Sequence, residues 1–132
     1  MIERDLLKVT CKVALYNLDK SLVLLVEYGD KGYGLPGGHL GEAEIPEVAV
    51  KRELQEELGI EYEGSLTHGD FWRHPDGKII LGFYGQLDHN TLLMAEQGEI
   101  SHAKWVPILG IQQHKVSAGT YDDFILRGAS RS

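Results

Sequence analysis

The sequence predicts an α/β sandwich built on a mixed β-sheet. Two observations carry that expectation: strand-like and helix-like hydrophobic periods alternate along the chain, and a glycine-rich loop feeds directly into the longest helical pattern. The 132 residues supply one hydrophobic core and are too few for two ordinary domains. Without an internal repeat, low-complexity tract or Pro/Ser-rich linker, residues 1–132 read as one domain.

The elements follow in order. Leu7, Val9, Cys11, Val13 and Leu15 alternate with Lys8, Thr10 and Lys12, the period of a half-buried strand with its polar residues outward. Leu22 to Val26 is a continuous apolar run of strand length, expected of a strand covered on both faces. Gly29, Gly32, Gly34, Gly37, Gly38 and Gly41 mark residues 29–41 as loop. From Pro46 to Leu58 the pattern is helical, with Val50, Leu54 and Leu58 on one stripe and Gly59 at the expected C-terminal cap. Phe71 to His74 and the alternating Ile79, Leu81, Phe83 and Leu87 flank the turn Pro75-Asp76-Gly77, which predicts a hairpin. Lys104 to Val106 resembles a short strand, and Pro107 suits the start of a helix. Thr120 and Asp123 form a capping-box pattern before Phe124, Ile125 and Leu126, with Arg127 and Gly128 closing that helix.

Composition narrows the function. Thirteen Lys plus Arg against 20 Asp plus Glu leave a formal net charge of −7, which disfavours nucleic-acid polymers as partners. An acidic chain can hold a small phosphate substrate only with cations between the two sets of negative charge. The longest apolar run falls far short of the roughly 20 residues that cross a bilayer, so no membrane partner is expected. The N-terminus lacks the pattern of a secretory signal, and the single Cys11, which alternates with core residues and reads as packing, forms no intrachain disulfide. A cytoplasmic location is the reading that fits.

On the predicted helix, Glu53, Glu56 and Glu57 stand three and four apart and therefore share one face. Like charges so placed cost about 0.2–0.5 kcal/mol per pair. Two of them occupy the last turn, where the helix dipole disfavours anions by a further ~0.3–1 kcal/mol. A hard divalent cation would reverse the sign of those terms. A bare Glu-x-x-Glu-Glu on a helix is more often a solvated acidic face; the surrounding residues decide otherwise.

Gly38, then Glu44, then Arg52-Glu53-Leu54-Gln55-Glu56-Glu57-Leu58-Gly59-Ile60 resembles the Nudix box at every defining position, and Leu35-Pro36-Gly37 resembles its usual lead-in. The resemblance implies a Nudix-type α/β/α sandwich with a mixed sheet, at the small, MutT-like end of that family. It implies Glu53, Glu56 and Glu57 as metal ligands, joined by the Gly38 carbonyl, with Mg²⁺ as cofactor and Mn²⁺ as a substitute. Arg52 would hold the glutamates in place, and Glu44 would position the loop. Two departures from the family pattern leave these ligands untouched. Ile45 stands where a Ser or Thr cap is common, partly offset by Pro46, and Tyr33 stands where tryptophan is frequent.

The activity so implied is that of a pyrophosphohydrolase, with water attacking phosphorus in line with a departing phosphate. The general base is left open between Glu56 or Glu57 on the helix and Glu99, with Glu96 as second choice, on a later loop. The expected substrate is a small nucleotide-like phosphate, a nucleoside triphosphate or oxidised nucleotide, with nucleotide sugars and dinucleoside polyphosphates as alternatives. A non-catalytic nucleotide-binding or sensor module on the same fold is the rival reading, and the intact box argues against it. An acidic interaction domain would leave the Gly38-to-Glu44 spacing unexplained. Phe71, Trp72 and Tyr84 are candidates for base stacking, though packing is the commoner role of such residues. His39 reads as a bystander in the box loop, and Pro75 as hairpin chemistry. Oligomeric state is open; a homodimer would be unsurprising by resemblance and from the prevalence of twofold symmetry.

Overall fold

β1 (Val9–Tyr16) is the strand around which the sheet is organised. It runs parallel to β6 (Ile79–Gln86) along its full length, from Val9 beside Ile79 to Tyr16 beside Gln86. The computed structural model describes residues 8–29, 32–94, 100–114 and 121–131, and among these the sheet has seven strands. β2 (Leu22–Glu27) pairs antiparallel with β3 (Tyr33–Gly34) and with β7 (His102–Pro107); β4 (Gly37–His39) pairs with β1, and β5 (Thr67–Arg73) with β6. One parallel pairing among antiparallel ones makes the sheet mixed, as the sequence predicts.

Among the described residues, two α-helices cover its faces. α1 (Pro46–Leu58) has the bounds read from the sequence, with Pro46 in its first turn and Gly59 capping it in the left-handed region at φ 68°. Ile45 makes no side-chain cap bond there. Val50, Leu54 and Leu58 are fully buried against Cys11, Val13 and Leu15 of β1 and Leu24 and Val26 of β2. Each such side chain contributes about 1.5–3 kcal/mol by leaving water. On the opposite face, α2 (Asp122–Ala129) packs Phe124 and Ile125 against Ala14, Tyr16, Val23 and Leu25.

That double cover corrects the expectation of a half-buried β1. Thr10 and Lys12, read as outward-facing, are only 2% and 7% exposed, because their face of the sheet is also enclosed. β3 and β4 are further additions: glycine-rich residues 29–41 form loop, but two short stretches of it pair with β2 and β1. Pro107 ends β7 instead of starting a helix, its position paired with Leu22; a 3₁₀ turn follows at Ile111–His114. Tyr121 stands at the N-terminal boundary of α2 without a side-chain cap bond, and Thr120 lies outside the described residues. Gly128 does not close α2 but sits inside it, where its bare Cα fits against the Tyr16 hydroxyl and the Tyr84 ring. Among the described residues, no helix is long and apolar enough to cross a membrane.

Candidate active site

α1 presents its charged face to the loop that precedes it, and Arg52 is the hub. Its Nε donates to Glu44 Oε2 at 2.8 Å and its Nη2 to Glu44 Oε1 at 3.0 Å. Nη1 donates to Glu53 Oε1 at 2.9 Å and to Glu56 Oε2 at 3.2 Å, and Nη2 also reaches the His39 carbonyl at 3.1 Å. One guanidinium thus ties the loop to two of the three box carboxylates, relieving the like-charge repulsion along the helix. Arg52's bonds, helped by the Gly41 N–H, hold the Glu44 carboxyl down to about 2.

Glu57 is held differently. It is 8% exposed, with Oε1 accepting from the Gly37 N–H at 3.0 Å and Oε2 lying 3.3 Å from the Tyr28 hydroxyl. Burial pushes its carboxyl up to about 7, against the opposing pull of the Gly37 N–H and the Lys12 charge. Tyr28 is pushed well above the ordinary phenol range, by burial first and by Glu57 second, and stays a neutral phenol. Lys12 Nζ donates to the Tyr28 hydroxyl at 2.9 Å and to the Gly37 carbonyl at 3.4 Å.

The loop backbone is shaped to permit this. Gly37 has φ 141°, and a Cβ there would run into the Cys11 carbonyl of β1. At Gly38 the obstacle is the site itself, because an added Cβ would lie 2.5 Å from Glu53 Cδ. The Glu53 carboxylate therefore rests directly on the bare Cα of the loop. Among the described residues, no group of three or more His, Cys, Asp or Glu side chains is gathered closely enough to grip an ion. Arg52 draws Glu53 and Glu56 to itself while Gly37 keeps Glu57 apart.

Gly37, Gly38 and His39 also form one side of a cavity of about 750 Å³, whose other walls include Lys12, Tyr28, Tyr33, Asp76 and Tyr121. That volume is in the range of a single small-molecule site. Its aromatic walls are not the stacking candidates read from the sequence. Trp72 packs on Phe124 and Tyr121, Tyr84 stacks on Phe124 at 4.4 Å, and Phe71 is 75% exposed. Tyr84 instead lines a smaller cavity of about 360 Å³ near Tyr16, which includes none of the box residues. His39 lines the larger cavity, with its Nδ1 3.3 Å from Thr10 Oγ1. Cys11 is fully buried, and burial first of all pushes its thiol up to about 11, in keeping with packing. Pro75 belongs to the hairpin turn closed by the His74 N–H to Lys78 carbonyl bond. Glu99 and Glu96 lie outside the described residues.

Two residues beside the box, Lys12 and Tyr28, escaped the sequence reading. A lysine alternating with apolar strand residues looks solvent-facing, and a tyrosine just beyond an apolar run looks like packing. Tyr28 carried one signal, its place directly before the glycine-rich segment; Lys12 carried none, because strand pairing alone brings it there.

The NUDIX domain profile matches residues 6–125. The chain belongs to the NUDIX domain family. It stands there as an enzyme, a Nudix pyrophosphohydrolase, with the box carboxylates and Arg52 all present. Among solved structures, it is similar to a MutT from work on Aliivibrio salmonicida and Vibrio cholerae, at 16% identity and TM-score 0.71, covering 95% of this chain and 98% of that one. The NUDIX domain of Shewanella oneidensis NrtR, solved with ADP ribose, shares 20% identity at TM-score 0.76, over 94% of this chain and 87% of that one. The E. coli dihydroneopterin triphosphate pyrophosphohydrolase shares 18% at TM-score 0.74, over 90% and 92%. At these identities the likeness is one of fold. No curated protein matches the sequence.

Proposed function

We propose that this chain, acting as one domain over residues 1–132, hydrolyses a phosphoanhydride bond in a small nucleotide, a nucleoside triphosphate or an oxidised form of one, with a divalent metal. The observation that carries this reading is Arg52 binding Glu44, Glu53 and Glu56 at once, beside a cavity sized for one small ligand. The donor set suits Mg²⁺ or Mn²⁺: Glu53, Glu56 and Glu57 offer carboxylate oxygens on one helix face, and Gly38 adds a carbonyl where the loop touches Glu53. A bound divalent ion supplies charge neutralisation on the phosphate oxygens and acidifies the attacking water.

The chain's own residues do the rest. Arg52 and Glu44 fix the loop against the helix, so Gly38 and Glu53 keep their mutual position as substrate arrives. Glu57, buried between Gly37 and Tyr28, is held in a single orientation. Glu56, with its side chain 58% exposed, is the box carboxylate most open to water and is one choice for the proton acceptor. Glu57 is the other on the helix, and Glu99, which precedes β7 in sequence, is the third. The same reading takes the cytoplasm as the chain's location and is compatible with a homodimer as its assembly. Nucleotide sugars and dinucleoside polyphosphates are the rival substrates within the family. The related E. coli pyrophosphohydrolase is named for a triphosphate, which favours that class here.

The test is hydrolysis of a nucleotide panel with Mg²⁺ or Mn²⁺ by the native chain, Glu56→Gln and Glu57→Gln. Turnover of one class only with metal, abolished in folded variants, supports the proposal. Nucleotide binding without turnover of any panel member would support a sensor module instead.

A further inference from the structure

β1 and β2 are registered together at Tyr16 beside Val23, while at residues 10–12 the edge of β1 is taken by β4. The two strands thus part towards the box loop, and the side chains at the parting are Lys12 from β1 and Tyr28 from just beyond β2. Both line the 750 Å³ cavity on one side and approach Glu57 on the other. Phosphates reaching from that cavity towards Glu57 would come up against these two side chains. Without a cation there, their oxygens would meet the Tyr28 hydroxyl, the Gly37 carbonyl and the Glu57 carboxylate, two of them acceptors only.

Lys12 supplies that cation. Its Nζ lies 2.9 Å from the Tyr28 hydroxyl, 3.4 Å from the Gly37 carbonyl and 4.5 Å from the Tyr28 ring centre. These contacts fix the ammonium at the cavity wall instead of letting it extend to water. A compact ammonium suits this place better than a guanidinium, since it acts as a point charge with three donors and needs no planar partner. Burial strengthens its interaction with a phosphate relative to a surface lysine.

We propose that Lys12, at the wall of the cavity beside Gly37, binds the phosphate that stays attached to the nucleoside. This rests on the function proposed above and adds to it a residue outside the box. Lys12 is then a substrate-binding residue as well as a neighbour of Tyr28.

The test compares two probes, a nucleoside 5′-monophosphate and the matching nucleoside, for each common base, by calorimetric titration with Mg²⁺ present. The native chain should bind the monophosphate more tightly. Lys12→Met should weaken monophosphate binding about 10- to 100-fold, the range for losing a charged hydrogen bond, and leave nucleoside binding within about twofold. Lys12→Arg should restore most of the difference. Equal weakening of both probes would make Lys12 a structural prop and overturn the inference, as would an unchanged preference for the monophosphate. If Lys12→Met does not fold, lysine-labelled native protein decides by NMR. The Lys12 Cε resonance, assigned with Lys12→Arg, should move with the monophosphate and not with the nucleoside; any other pattern overturns the inference. A native chain that binds neither probe and cleaves nothing on the nucleotide panel would instead sink the proposed function itself.

Discussion

Arg52 and Glu44 are joined at two points, Nε to Oε2 at 2.8 Å and Nη2 to Oε1 at 3.0 Å, across the junction between the box loop and α1. Such a fork needs a planar donor pair, so lysine cannot reproduce it. Arg52→Lys should keep the fold and lower kcat/KM about 10- to 100-fold, because the remaining ammonium cannot serve Glu44, Glu53 and Glu56 together. Circular dichroism alongside steady-state kinetics checks both halves of that expectation.

The same pair predicts a pH dependence. Glu44's carboxyl is lowered from the ordinary 4.5 to about 2, chiefly by Arg52. A depressed carboxylate contributes stability that is present above pH 4.5 and is lost as pH falls towards 2. Native protein should therefore melt higher than Glu44→Gln at neutral pH, and the gap should close across that acid range. A gap that stays constant from neutral pH down to 2 would show that the pairing contributes nothing through Glu44's ionisation.

The box was legible because its chemistry is local. Glu53, Glu56 and Glu57 follow one another on a helix whose stripe, proline and terminal glycine are all readable from spacing alone, and α1 has the bounds so predicted. Lys12 was not legible, because its environment is made by strands and a loop distant in sequence. Alternation along β1 tells which residues share a face, but not that both faces are covered. Tyr28, Tyr33 and Tyr121 line the cavity for the same reason: non-local pairing assembles it, while Trp72 and Tyr84 of the hairpin went into α2's packing. Gly128 looked like a helix terminator, since its true constraint is a pair of tyrosines from β1 and β6.

Adjacent glycines in the loop should fail in different ways. Gly37→Ala meets a hard obstacle, the Cys11 carbonyl, at a φ of 141° that side chains rarely adopt. It should lose about 3 kcal/mol of stability, seen as a large drop in Tm. Gly38 has no such backbone demand, and its added methyl would press first on the Glu53 carboxylate. Gly38→Ala should stay folded, with Tm lowered by a few degrees, and lose activity about 100-fold as Glu53 is displaced. Equal loss of stability in both variants would show that Gly38 serves the fold and not the site.

Gly128→Ala sets two effects of opposite sign against each other. Alanine inside a helix is favoured over glycine by about 1 kcal/mol, so an exposed position would gain stability. Here the new methyl enters space held by the Tyr16 hydroxyl and the Tyr84 ring. Neither can move cheaply: Tyr16 donates to the Ile125 carbonyl at 2.6 Å, and Tyr84 donates to the Phe124 carbonyl at 2.9 Å while stacking on that residue's ring. Overpacking of this kind costs about 1–3 kcal/mol before the two hydrogen bonds are disturbed, which outweighs the helical gain. The variant should unfold at lower denaturant with an unchanged m-value, and retain native kcat because the collision lies on the face of the sheet away from α1. A Tm raised by the substitution would mean that α2 slides on the sheet and that the tyrosine pair does not fix its position.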